Sequence, residues 1–138
     1  MKAIPYILFG GNCEEAVNFY QSVIGGTISS VKFSDLPQEE GMPISDSWKD
    51  KIMHSAIIFD DGNAIYFSDT WEGYPLKPGN NSTLHLVVDK EQQVYDFVEK
   101  LAVGGEITMP ADKTFWNSVY GSLVDKYGMN WSIEFPLY

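Results

Sequence analysis

"FYQSVIGGTI", residues 19–28, closes an amphipathic stretch on a Gly-Gly pair, and "FVEKLAVGGEI", residues 97–107, does the same later in the chain. One such phrase is ordinary helix-stop chemistry, because glycine reaches the left-handed backbone that ends a helix. Two in 138 residues raise the question of an internal duplication, and the flanking residues decide it. Ahead of the first pair, Asn12 and Glu15 have the spacing of an N-terminal cap. Between cap and stop, Cys13, Ala16, Val17, Tyr20, Val23 and Ile24 recur at helical spacing and form one apolar stripe. Ahead of the second pair, Asp89 and Gln92 repeat the cap, and Val94, Phe97, Val98, Leu101 and Ala102 repeat the stripe.

The strands follow the same order twice. "KAIPYILF" precedes the first helix, with Pro5 suited to an edge or a strand start. "TISSVKF" follows it, then "MHSAIIF" and "AIYFSD" flank the turn sequence "DDGN". With Phe59 paired to Ala64, this hairpin places His54 opposite Asp69. In the second half "STLHLVV" precedes the helix, "EITM" follows it, "PADKTFWN" reads as a loop, and "SVYGSLVD" and "MNWSIEF" form a hairpin across "KYG". The expectation is one domain, residues 1–138, made of two βαβββ repeats (1–71 and 79–138) joined by a short Pro/Gly linker. The first repeat also carries a polar stretch, residues 34–51, either a lid over a binding site or a plain surface loop.

Composition bounds the partners. Nine Lys and no Arg stand against nineteen Asp and Glu, a formal charge of −10. Such a chain is repelled by phosphate backbones and anionic lipid, so nucleic-acid and membrane partners are not expected. No apolar run approaches the ~20 residues that span a bilayer, and the lone Cys13 excludes an intrachain disulfide. A cytoplasmic protein is expected.

Each repeat covers one sheet face with its helix and leaves the other for a cleft, so the alternate strand residues are the site candidates. Trp131, Ile133 and Phe135 read as core in "MNWSIEF", leaving Asn130, Ser132 and Glu134. Leu84, Leu86 and Val88 read as core in "STLHLVV", leaving Thr83, His85 and Val87. In "NAIYFSD", Ile65 and Phe67 are core and Tyr66 and Ser68 face the cleft.

"IPYILFGGNCEEAVNFYQSVIGG", "MHSAIIFDDG" and "TFWNSVYGSLVDKYGMNW", on this paired plan, resemble PhnB-like proteins of the vicinal oxygen chelate superfamily, which includes glyoxalase I, extradiol dioxygenases and bleomycin-resistance proteins. The resemblance implies an α+β fold in which paired βαβββ repeats form a curved eight-stranded mixed sheet with a cleft, and a homodimer. In the superfamily's metalloenzymes, ligands stand on the first and last strands of each half. Those places fall here on Pro5, Tyr66, Thr83 and Ser132, none of them an imidazole, carboxylate or thiolate. Two residues along the same faces stand His85 and Glu134. They are candidates for a general acid/base pair, or for a displaced metal site one ligand short of the three usual for catalytic zinc.

Trp48, Trp71 and Trp116 lie in or beside loops, and Trp116 is the candidate pocket wall. The usual family pattern has Gly after this Trp; here Asn117 narrows or repolarises the entrance. Cys13 sits in a helix's first turn, which lowers a thiol pKa, but on the apolar stripe, which argues for burial. His54 with Asp69 reads as a structural strand-end pair. A phosphonate ligand lacks support, with neither a Gly-rich phosphate loop nor any Arg. The expected ligand set is therefore Tyr66, Ser68, Thr83, His85, Trp116, Ser132 and Glu134, taking a small organic molecule without a required cofactor. A divalent metal is the disfavoured alternative. The competing reading is a lyase, isomerase or dioxygenase-type enzyme using His85 and Glu134.

Overall fold

The computed structural model describes residues 1–37 and 44–138. Residues 38–43, the centre of the expected 34–51 loop, lie outside the described residues, and the lid reading with them. The chain divides into two compact units, Met1–Lys77 and Pro78–Tyr138. Each runs strand, helix, three strands. The first has β1 (Tyr6–Phe9), α1 (Cys13–Ile24), β2 (Thr27–Lys32), β3 (Ile52–Ile58) and β4 (Ala64–Asp69), and the second has β5 (Thr83–Val87), α2 (Glu91–Leu101), β6 (Glu106–Lys113), β7 (Ser118–Val124) and β8 (Asn130–Pro136). The sheets have the same topology, β1-β4-β3-β2 and β5-β8-β7-β6. In each, the first and last strands pair in parallel and the other pairs are antiparallel. The described residues thus form an α+β fold of eight strands and two α-helices.

Helical periodicity placed the cores. Cys13, Ala16, Val17 and Tyr20 are buried on α1, facing Phe9, Ile57, Ile65 and Phe67, with the Tyr20 and Phe67 rings 5.8 Å apart. On α2, Val94, Val98 and Leu101 are buried with Val119, Leu123, Trp131 and Ile133 of β7 and β8. Burial decides the Cys13 question: desolvation first, then the Asp69 and Glu14 charges, push its thiol pKa far up, so the helix N-terminus does not make it reactive.

Each Gly-Gly pair divides its labour. Gly25 and Gly104 take left-handed φ of 80° and 79° and turn the chain off the helix. The next glycine allows close approach: a Cβ on Gly105 would lie 2.7 Å from the carbonyl carbon of Asp125, and one on Gly26, itself at φ 91°, 2.6 Å from the side-chain Cγ2 of Ile57.

Four local expectations need correction. Asn12 makes no side-chain cap on α1. Instead Asp69 Oδ1 accepts from the backbone N–H of Gly11 (2.8 Å) and Cys13 (3.0 Å), and Oδ2 accepts from Ile52 N–H (2.9 Å). Buried Asp69 thus ties strand, loop and helix start together. On α2 the cap lies one residue later than expected, with Gln93 Oε1 accepting from the backbone N–H of Lys90 (3.0 Å) and Asp89 (3.2 Å). The β3–β4 hairpin pairs Ile58 with Ala64, not Phe59 with Ala64. Phe59 N–H reaches Asn63 O, and Gly62 at φ 86° supplies the left-handed residue of a three-residue turn. A slip of one residue exchanges the faces, so His54 is not opposite Asp69 and lies on the face away from α1. Finally, β6 runs on to Lys113 through the expected loop, with register irregularities around Met109 and Asp112. Pro110 is tolerated because this is an edge strand.

Candidate functional site

The parallel pairing of β5 with β8 sets His85 opposite Ser132 and Val87 opposite Glu134, while β7 brings Ser122 opposite Ser132 and Tyr120 opposite Glu134. Pleat alternation then gathers His85, Ser132, Glu134 and Tyr120 on the face turned away from α2. A continuous hydrogen-bonded chain results. Ser118 Oγ donates to Glu134 Oε2 (2.7 Å), Glu134 Oε1 lies 3.2 Å from His85 Nε2, and His85 Nδ1 lies 2.6 Å from Ser132 Oγ. The Trp116 side chain, whose one polar group is its indole N–H, stands near enough to help lower the carboxyl pKa.

Donor arithmetic fixes the imidazole. An ionised carboxylate only accepts, so Nε2 carries the proton that faces Glu134. In the neutral ring Nδ1 is then the acceptor, and the Ser132 hydroxyl donates to it. The Glu134 pKa is lowered, first by the Ser118 hydrogen bond and then, against some desolvation, by the bond from His85, the Trp116 side chain and the charge of His85. Glu134 is therefore an anion at neutral pH, 17% exposed beside a His85 side chain 43% exposed.

A depressed native carboxyl pKa stabilises the fold above the unfolded value of about 4.3 and loses that contribution as pH falls through the native value. Glu134→Gln should accordingly be less stable than wild type at pH 6 in urea unfolding, with the gap closing below about pH 4. A gap that stays constant or widens in acid would mean the carboxylate is not held as described.

Aromatic rings wall the network. Trp116 and Tyr120 meet edge-on with centroids 5.6 Å apart, and Tyr120 lies nearly parallel to His85 at 6.3 Å. Trp116 is held in the β6–β7 turn, where Thr114 N–H reaches Ser118 O and Asn117 takes φ 66°. Asparagine is one of the few residues that tolerate that left-handed position.

Of the expected ligand set, His85, Trp116, Ser132 and Glu134 come together. Thr83 shares their face, exposed, opposite Asn130. Tyr66 and Ser68 belong to the first unit. There Tyr66 meets the rings of His54 (4.8 Å) and Tyr6 (5.9 Å), Tyr6 Oη lies 3.1 Å from His54 Nδ1, and Ser68 is buried. Trp48 donates its indole N–H to Thr70 O (3.1 Å), and Trp71 packs edge-on against Phe33. Ser118 and Tyr120 were missed, although the register of the "KYG" hairpin would have placed Tyr120 opposite Glu134. A hollow of about 410 Å³ on the helix side of the first sheet, floored by Val17, Ile28 and Ile52, holds none of the expected residues.

The residues do not fit a catalytic metal. Among the described residues no group of three His, Cys, Asp or Glu side chains could hold one. Both His85 nitrogens are engaged, so a metal would have to displace Ser132 or the carboxylate.

A family model described as the glyoxalase/bleomycin resistance protein/dioxygenase superfamily matches residues 3–133. Protein YjdN of Escherichia coli K12 is 29% identical over 142 aligned residues, covering 97% of this chain and 95% of that one. The crystal structure of protein PA1353 from Pseudomonas aeruginosa superposes with a TM-score of 0.85 at 32% identity, covering 99% of this chain and 98% of the other. The PhnB protein from Bacillus cereus matches with a TM-score of 0.71 at 24% identity, over 98% of this chain and 99% of that one; at that identity the likeness is one of fold.

Proposed function

The chain belongs to the glyoxalase/bleomycin resistance protein/dioxygenase superfamily, and we propose that it binds a small organic molecule on the open face of its second sheet without a metal. The observation that carries this reading is the closed polar network of Ser118, Glu134, His85 and Ser132 beneath the Trp116 and Tyr120 rings. A few fixed polar groups under an aromatic wall are the usual make-up of a ligand site. Thr83 extends the face. The protein works in the cytoplasm as a homodimer in this reading, so light scattering should give twice the 15.5 kDa chain mass.

A second reading draws on the same hydrogen-bonded chain: a lyase, isomerase or dioxygenase-type reaction in which His85 moves a proton and Glu134 steadies the imidazolium. It requires His85 Nδ1 to exchange Ser132 for substrate. A thermal-shift screen of planar heteroaromatic compounds at neutral pH separates the two. Hits should weaken about tenfold or more in Trp116→Ala and His85→Ala and be recovered unchanged. Chemical turnover of a hit, abolished in His85→Ala, would favour the enzyme. Hits indifferent to both substitutions would remove the site from this face.

A further inference from the structure

We propose that this face selects an organic cation, a protonated or quaternary amine carried on an aromatic body; the proposal rests on the ligand-binding reading above and names its ligand class. Charge complementarity carries it. Pairing register assigns to the face His85, Ser132 and Glu134, Tyr120 of β7, and Glu106, Met109 and Asp112 of β6. Three of these are carboxylates and none is a lysine. Lys113 pairs with Val119, on the opposite phase of the strand. The Glu134 carboxylate accepts from the Ser118 hydroxyl and lies 3.2 Å from His85 Nε2, so both its oxygens are engaged while its charge meets no ammonium among the described residues. Asp112 stands opposite Tyr120, and its Oδ1 accepts from the backbone N–H of Lys113 (2.7 Å).

A satisfied network with an uncompensated charge imposes a particular selection. The ligand need not break the chain of hydrogen bonds; it needs positive charge close by and a flat apolar body. Tyr120 and the half-exposed Trp116 offer π faces, which attract organic cations most strongly where water is displaced. An anionic ligand meets repulsion from three carboxylates, and a neutral one gains only stacking.

Calorimetric titration at pH 7.5 with N-methylquinolinium, beside neutral quinoline, tests this on the intact protein. The cation should bind about tenfold tighter than quinoline or better, and added salt should narrow the difference. Glu134→Gln should bring the two ligands within about twofold of each other, and Asp112→Asn should take part of the preference. The wild-type comparison needs no variant to fold, and Asp112→Asn alters an exposed side chain.

Equal affinities in the wild-type protein, no detectable binding of the cation, or a preference that survives in both variants would each overturn the cation proposal. If both probes bind equally and both are lost in Trp116→Ala, the ligand face stands and only the charge selection falls. If cation binding ignores Trp116→Ala, Tyr120→Leu and Glu134→Gln alike, the cation sits elsewhere and the ligand-face reading falls too.

Discussion

Gly105→Ala should cost about 4 kcal/mol or more, or abolish folding, though it adds one methyl group on the surface of the chain. The added Cβ would overlap Val124 O and approach the carbonyl carbon and Cα of Asp125 at 2.7 and 2.9 Å. All three are backbone atoms, in the strand end and turn that Asp125 itself organises. Its carboxylate accepts from Tyr127 N–H, Met129 N–H and the buried Trp131 indole N–H. No rotamer can relieve the clash, so the β6 edge must leave the sheet. Gly25→Ala is the control, because nothing lies within 4 Å of its Cβ. It should lose only about 1–3 kcal/mol, because φ 80° with ψ −159° is a backbone region open essentially to glycine alone. Equal losses in urea unfolding would show that the chain relieves the Gly105 clash by small local shifts and that the close approach carries no special cost.

The second large effect falls on Asp69. Alanine there removes the acceptor of three backbone N–H groups, at Gly11, Cys13 and Ile52, in a protein where no buried side-chain polar atom among the described residues lacks a partner. A buried donor left unpaired costs about 1–3 kcal/mol, and some will find water. The expected loss is therefore about 3–5 kcal/mol, a drop of roughly 10–20 °C in Tm. Asp69→Asn keeps one acceptor oxygen and should lose about half as much. A change below about 1 kcal/mol in Asp69→Ala would mean that α1 starts without this clip. Because Asp69 anchors the helix start and not His54, His54→Ala should not reproduce the loss.

The helices and the strand order were legible because their signals are local and periodic: the α1 stripe at Cys13, Ala16, Val17 and Tyr20 is buried as its spacing requires. So was the phase of β5 and β8, where alternation in "TLHLV" and "NWSIE" put His85, Ser132 and Glu134 on one face. Where the sequence misled, a single residue of turn geometry was at stake. Either Phe59 or Ile58 can pair with Ala64 across "DDGN", and only the left-handed Gly62 turn chooses Ile58. That choice moves His54 to the other face. Trp116 could be suspected but not placed, since its contact with Tyr120 depends on how the β6–β7 turn closes around Asn117. The Asp69 clip was hidden for another reason: its three partners are backbone groups, which leave no side-chain signature.

The face with Glu134 has a consistent chemistry. Ser118 and His85 hold the carboxylate ionised, the carboxylate fixes the His85 tautomer, and Ser132 engages the remaining nitrogen. Such preorganisation suits recognition, since the polar groups need no rearrangement when a ligand arrives. It opposes metal binding, which must first break a bond already made.

Metal content therefore tests the central claim most directly. Untagged protein purified without chelator, and again after dialysis against nickel, zinc, manganese and iron, should hold well under one equivalent of any of them. Stoichiometric metal that disappears in both His85→Ala and Glu134→Ala would contradict this account, showing that the His85–Glu134 pair opens to a cation and that the chemistry of this face belongs to the metal.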